Sequence, residues 1–403
     1  MKIAGLFAGI GGIELGFERA FGNSLRTEML CEWWEPAQAV LSRRFPDVEL
    51  HPDVRELRGL PRGLDLLSAG FPCTDLSQAG RTAGIAGAQS GLVSHVFEAL
   101  RLTATTEKRL PWLMIENVPN MLTLDKGKAM AYLVHEIEAL GYRWAYRVVD
   151  SRFTGVPQRR RRVILLASAT EDPRRVLFAD DAGERPEADL KDDAFGFYWT
   201  EGRGGLGWAQ DAVPTLKGGS SVGIPSPPAI WVPGAPDDRL FVTPSVEDAE
   251  EMQGFERGWS DVLTLARRNG PRWKLVGNAV TTRVAEWVAG RIAKPGDVVV
   301  DLDGQQVVGR WPTAAWGERG TVHAIPISEF PTMAQYEHLS AVVDLNSAAP
   351  LSARAINGFH SRLLQGNLGR YAGFRDDVAR YREMTWATRS FGEAVPSSTR
   401  RVS

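Results

Sequence analysis

Thiols are scarce in this sequence: Cys31 and Cys73 are the two cysteines among 403 residues. Two cysteines cannot build a cysteine-rich zinc site, and in a reducing compartment they stay thiols rather than a bridge. No cluster of metal ligands stands out, so no metal is expected. No apolar run reaches the about 18 residues that a membrane span needs. The N-terminal "MKIAGLFAGIGGIELGFERAFG" carries glycines at 5, 9, 11 and 12 and the acids Glu14 and Glu18, which spoil it as a signal peptide. An excess of one charge is missing too. Lys and Arg number 47 against 49 Asp and Glu, a formal net charge of −2 that announces no polyanion partner. No internal repeat occurs, and the glycine-rich stretch at 6–12 lacks the full G-x-G-x-x-G spacing. A cytoplasmic protein of two or three domains is expected, with 43% hydrophobic residues to fill its core.

Within those bounds the first half alternates between strand and helix patterns. Apolar runs at 2–7, 26–33, 64–70, 111–118, 142–150 and 161–167 read as strands. Helical spacing appears at 13–21, from Pro36 onward, and at 127–140. This alternation predicts an α/β fold with a mostly parallel sheet covered on both faces. After about residue 170 the pattern breaks. The stretch 202–236 is dense in Gly, Pro and Ser and predicts an irregular lobe. Helical patterns return at 245–255 and 281–293, and a third piece opens β-like at 297–311 and ends in helices near 352–364 and 374–384.

Several residues in these elements could carry chemistry. "LFAGIGG" (6–12) is a strand running into a glycine turn and a helix, whose N-terminal amides could meet an anionic group such as a carboxylate. Nucleotide, flavin and S-adenosylmethionine binders share such turns with plain tight turns. Glu32 ends the second strand, where an acid commonly meets a ribose, and Trp33 beside it either stacks on a base or packs in the core. Asp53 follows the next short segment and either accepts from an amino group or caps a turn. Cys73 follows the fourth strand in a Gly-Phe-Pro-Cys turn. A free cysteine is a small hydrophobe or, as a thiolate facing a cleft, a nucleophile. Glu116 ends another apolar strand in "MIENVPNM" (114–121), and a cysteine with a carboxyl group at neighbouring strand ends implies covalent attack with acid assistance. "QRRRRV" (158–163) holds four arginines in a row, either a solvated strand or a functional cluster.

The order of FAGIGG, Glu-Trp, Gly-Phe-Pro-Cys, Glu-Asn-Val, Gln-x-Arg-x-Arg and Gly-Asn-Ala-Val across residues 1–292 resembles the DNA (cytosine-5)-methyltransferase family, of phage or bacterial type. The resemblance implies a Rossmann-like S-adenosylmethionine-dependent sheet, a small irregular target-recognition lobe and a C-terminal extension. Residues 1–170 would form the cofactor-binding and catalytic domain, 171–238 the lobe, 239–293 a return segment and 294–403 an accessory region. S-adenosyl-L-methionine would be the cofactor, held by Phe7, Gly9, Gly11, Glu32, Trp33, Asp53, Pro72, Leu92, Asn278 and Val280. Cys73 would be the nucleophile and Glu116 the acid, with Arg160 and Arg162 in the catalytic set. Arg162 would reach the cytosine while the other motif residues brace the site. Gln158, Ser77, Thr215 and Leu216 would face DNA. The partner would be double-stranded DNA, met by a monomer in the cytoplasm of a bacterium or a phage-infected host. Such enzymes belong to restriction–modification systems or bacteriophages. Two positions depart from the family pattern: Thr74 stands where glutamine is usual, and Gln89 where an arginine often precedes Ser-Gly-Leu.

Rival readings remain. The tRNA branch of the same family carries a Cys-Phe-Thr signature in its recognition region, and residues 200–260 hold no cysteine. A nicotinamide- or flavin-dependent oxidoreductase would explain the glycine turn but not Cys73, Glu116 and the arginines. A catalytically silent DNA-binding protein would have no chemical need of that set.

Overall fold

The apolar runs of the first half assemble into one sheet. The computed structural model describes residues 1–72, 91–200, 205–218, 226–262, 269–307 and 309–392. Strands β1 (Lys2–Leu6), β2 (Arg26–Cys31), β3 (Glu49–His51), β4 (Leu66–Ala69) and β5 (Trp112–Asn117) run parallel in the order β3-β2-β1-β4-β5. Of the next two long strands, β6 (Arg143–Asp150) keeps that direction and, past the short β7 (Gln158–Arg159), β8 (Arg161–Ser168) reverses it. β8 lies between β5 and β6 and is antiparallel to both.

A second, smaller sheet gathers β9 (Phe195–Phe197), β10 (Ala209–Gln210), β12 (Ala229–Trp231) and β13 (Phe241–Thr243), all antiparallel, while β11 (Val213–Pro214) pairs in parallel with β7. The chain after residue 293 is divided between the two sheets. Strands β14 (Ala314–Glu318) and β15 (Thr321–Ala324) extend the large sheet beyond β6, and β16 (Ala349–Pro350) pairs with β13. Helices Ala353–Gln365 and Phe374–Gly392 then pack on the small sheet, where Ile356, Phe359, Phe374 and Tyr381 bury against Phe197, Trp231 and Phe241.

The sheet is therefore not mostly parallel, because its β8, β6, β14 and β15 half is antiparallel. The β-like stretch at 297–311 is also different from the expectation. Val298, Val300 and Leu302 turn inward against the large core while Val299 and Asp301 are exposed, so the alternation is real. That segment runs extended without a partner strand among the described residues, apart from the bridge Gln306–His323.

Alternate residues of each strand feed the two faces. Ile3, Leu66, Met114 and Ile164 bury against Ile13 and Phe17 of helix Gly12–Phe21 and Val284 and Val288 of helix Thr282–Ala293. Ala4, Leu67, Leu113 and Leu165 face Val96 and Phe97 of helix Leu92–Thr106 and Leu133 and Ile137 of helix Lys128–Ala139. Gly16 lets the first pair of helices touch, since a Cβ there would lie 2.4 Å from the Thr282 carbonyl oxygen. The segment 239–293 is thus anchored back on the first helix.

Candidate active site

Strand order reverses around β1, and in open α/β sheets the crevice at such a switch point, at the carboxyl ends of the strands, is where ligands sit. A cavity of about 690 Å³ opens there, bounded by Phe7 and Gly9 after β1, Glu32 and Trp33 after β2, Asp53 after β3, and Gly70 and Pro72 after β4. Leu92 at the start of its helix and Asn278 at the end of helix Asn269–Asn278 complete the wall. Eight of the ten expected cofactor residues therefore meet in one place, counting Phe7, Gly9, Glu32, Trp33, Asp53, Pro72, Leu92 and Asn278.

The other two stand behind the wall. Gly11, at φ 80°, must be glycine because a Cβ would lie 2.3 Å from the Phe45 ring. Val280 presents its carbonyl oxygen to Gly12, 2.7 Å from where a Cβ would be. The turn before the helix is braced by its own amides. The Ala8 amide donates to the Cys31 carbonyl (3.1 Å), Gly9 to Glu32 Oε2 (2.9 Å) and Gly11 to the Ala8 carbonyl (2.9 Å). Those three amides hold the turn together instead of waiting for a ligand.

Glu32 is the hinge of this arrangement. Its Oε2 accepts from Gly9 and its Oε1 from the Trp34 amide (2.9 Å), which fixes the carboxylate without exhausting its acceptor capacity. Burial pushes its pKa up, and those amide hydrogen bonds oppose the shift. Trp33 leaves 73% of its surface exposed, so it is a cavity wall and not a core residue. Asp53 caps the turn Val54–Glu56 and is clasped by the Arg55 guanidinium, which holds its carboxyl below the ordinary value. Cys31 lines the same cavity from the end of β2, and burial pushes its thiol up to about 12.

Beyond Pro72 the site passes to the end of β5. Cys73, Ser77, Thr74 and Gln89 lie outside the described residues. Before them the chain is held at Phe71, where Asn117 Nδ2 donates to the carbonyl (2.9 Å) and the ring packs edge-on against Phe7. Sequence reasoning passed over Asn117, although it stands in the quoted Glu-Asn-Val. Glu116 is 8% exposed, and Arg162 Nε of β8 lies 2.9 Å from its Oε1. Burial lowers the Arg162 pKa, and the Glu116 charge opposes that shift.

The remaining motif residues prove to be braces. Arg160, between β7 and β8, is buried and donates to the carbonyls of Gly277 (3.2 Å) and Ala279 (2.6 Å), tying that junction to the return segment. Gln158 is not a DNA-facing residue as expected. Its side chain is fully buried, accepts from the Leu216 amide (3.1 Å) and donates to the Met252 carbonyl (3.1 Å). Leu216 is 1% exposed and packs in the core between the small sheet and the return helix, so it does not face DNA either. Thr215 stays half-buried and donates to the Arg159 carbonyl (2.7 Å).

Behind the turn, Glu14 is buried over Gly5 and accepts from Ser68 Oγ at 3.3 Å, leaving Oε2 without a hydrogen bond. Burial pushes its pKa from 4.5 up to about 7. The folded protein therefore holds a proton that the unfolded chain releases. This contribution is full below about pH 4.5 and is lost as pH rises to about 7, on the order of 3 kcal/mol in all. Glu14→Gln, neutral at every pH, is expected to raise the melting temperature at pH 8 and flatten the decline between pH 5 and 8. A melting profile parallel to the wild type across that range contradicts this account.

Known proteins resemble the chain in the same region and beyond. The family model for C-5 cytosine-specific DNA methylase matches residues 1–192. Type II methyltransferase M2.BsuMI of Bacillus subtilis (strain 168) is 47% identical over 372 residues, covering 90% of this chain and 93% of that one. Type II methyltransferase M.BanI of Aneurinibacillus aneurinilyticus is 34% identical over 180 residues, 44% of this chain and 40% of its own length. Among solved structures, the S. pombe Dnmt2 methyltransferase superposes with a TM-score of 0.53 at 13% identity, over 73% of this chain and 98% of that one. The Entamoeba histolytica methyltransferase EhMeth gives 0.51 at 14% identity, over 73% and 99%. At those identities the superpositions speak for the fold alone.

Proposed function

Because the chain belongs to the C-5 cytosine-specific DNA methylases, which use S-adenosylmethionine, we propose that it methylates C5 of a cytosine flipped out of duplex DNA through a Cys73–C6 bond. One observation carries this reading. Pro72, the residue before Cys73 in sequence, lines the same cavity as Glu32, Trp33 and Asp53, so a cofactor held by those three reaches the end of the segment that leads to the proposed nucleophile.

The residues suit the cofactor. Glu32 has acceptor capacity left for ribose hydroxyls, and the exposed Trp33 ring offers a flat face to adenine. Bound there, S-adenosylmethionine supplies an electrophilic methyl group. Cytosine C5 is too weak a nucleophile to take that group unaided. Attack of the Cys73 sulfur on C6, with Glu116 delivering a proton to N3, makes C5 enamine-like. After C5 is methylated, loss of its proton expels the thiolate and regenerates the enzyme. Arg162, at ion-pair distance from Glu116, keeps that carboxyl group in place. A base inside a duplex cannot reach Cys73, so the nucleotide is extruded at a cost of a few kcal/mol.

The small sheet is the lobe that selects the target. Its core is completed by helices Ala353–Gln365 and Phe374–Gly392, so the lobe we infer takes in residues 195–243 and 349–392. Incubating the protein with methyl-labelled cofactor and either duplex DNA or tRNA tests the proposal. Label is expected in 5-methylcytosine of DNA, and a chain ended at residue 293 is expected to transfer none. Label in tRNA alone, or full activity of the shortened chain, contradicts it.

A further inference from the structure

Helix Asn269–Asn278 enters the cleft with almost every side buried. From Arg272 to Ala279 the exposed positions are Lys274 and Asn278, one turn apart, and both line the cofactor cavity. Trp273 and Val276 pack toward the small sheet, and Leu275 and Ala279 toward Phe45 and Trp259. The helix thus has one open ribbon, aimed into the cavity. At its mouth Lys274 Nζ rests 4.6 Å from the centroid of the Trp34 ring, a cation–π contact with another wall residue.

The charges around the cavity show what this lysine lacks. Asp53 and Arg55 satisfy each other, and Glu32 is held by two amides. Among the described residues lining the cavity, Lys274 is the cation without a carboxylate partner. S-adenosylmethionine has one anionic group, the carboxylate of its methionine part, and a group of that kind needs donors when it leaves water. The amides of Ala8, Gly9 and Gly11 are already engaged inside the turn.

We propose that Lys274 is the counter-charge for the cofactor's carboxylate, and that Trp34 is the ledge holding its ammonium group at the cavity mouth until the cofactor arrives. The inference rests on the reading that S-adenosylmethionine fills this cavity. Its chemical signature is selective. The demethylated product, S-adenosylhomocysteine, keeps the carboxylate, whereas 5′-methylthioadenosine keeps the adenosine and the sulfur without it.

Titration calorimetry on the full chain compares these two ligands for wild type, Lys274→Met and Lys274→Arg. Loss of a partly exposed charge-assisted contact should weaken S-adenosylhomocysteine about tenfold in Lys274→Met and leave 5′-methylthioadenosine unchanged. Lys274→Arg should restore most of the difference. Equal weakening of both ligands would mean a change of shape and overturns the proposal, as does unchanged binding of both. A raised KM for DNA with unchanged cofactor affinity overturns it as well, by placing the lysine on phosphate. If wild type binds neither ligand, the assignment of the cavity fails instead.

Discussion

Methyl transfer is expected to disappear in Cys73→Ser, by about 10⁴-fold or more, the scale seen when an enzyme loses its nucleophile. A thiol is a few per cent thiolate at neutral pH and intrinsically reactive, whereas a serine hydroxyl is a weak nucleophile without a strong base to activate it. Cofactor affinity should survive, because the Glu32 and Trp33 wall is built by β2 and its following turn. Cys31 cannot stand in for the missing sulfur. It is 2% exposed, and burial pushes its thiol up to about 12. Cys31→Ala should therefore keep the wild-type rate. Single-turnover incorporation of labelled methyl into DNA measures both variants, and a Cys73→Ser rate within tenfold of wild type contradicts the role assigned to the sulfur.

Glu116→Gln is expected to slow the same step by roughly 10²–10⁴-fold, the usual contribution of a positioned acid or base. The amide keeps the shape of the carboxyl group and loses its proton. It also leaves Arg162 without the carboxylate 2.9 Å away, and removing one partner of a buried pair is itself destabilising. Thermal melting and S-adenosylhomocysteine affinity separate the two effects. Glu116→Asp adds a second check, since it preserves charge but withdraws the carboxyl group by one methylene. A Glu116→Gln rate within threefold of wild type, with the protein folded, sinks the proton-donor role.

Much of this site was legible from residue order, because the chemistry falls at strand ends. The runs before Phe7, Glu32, Cys73 and Glu116 are buried strands whose carboxyl ends meet around β1. Strand direction was not legible. β8 carries Val163–Ala167 buried on both faces, and such a run reads the same whether its neighbours are parallel or antiparallel. A motif also does not say which of its members reach a surface. Gln158 and Arg160 alternate with Arg159 and Arg161, and the first pair turns inward to hold the return segment while the second is exposed. The C-terminal helices showed an apolar stripe but not its partner, which is 150 or so residues away in the small sheet. Lys274 went unassigned because a lysine in a helix ordinarily faces solvent. Only the packing of its neighbours turns that face into a cavity wall.

The covalent step is the central claim, and a mechanism-based trap tests it most directly. DNA carrying 5-fluorocytosine at the target position gives a C5 substituent that cannot leave as a proton, so expulsion of the sulfur stalls. With S-adenosylmethionine present, wild-type protein is expected to give a denaturation-resistant complex with DNA, whose digestion yields a peptide joined to the base through Cys73. Glu116→Gln should form it slowly and Cys73→Ser not at all. A complex formed undiminished by Cys73→Ser, or attached through any other residue, would contradict the account.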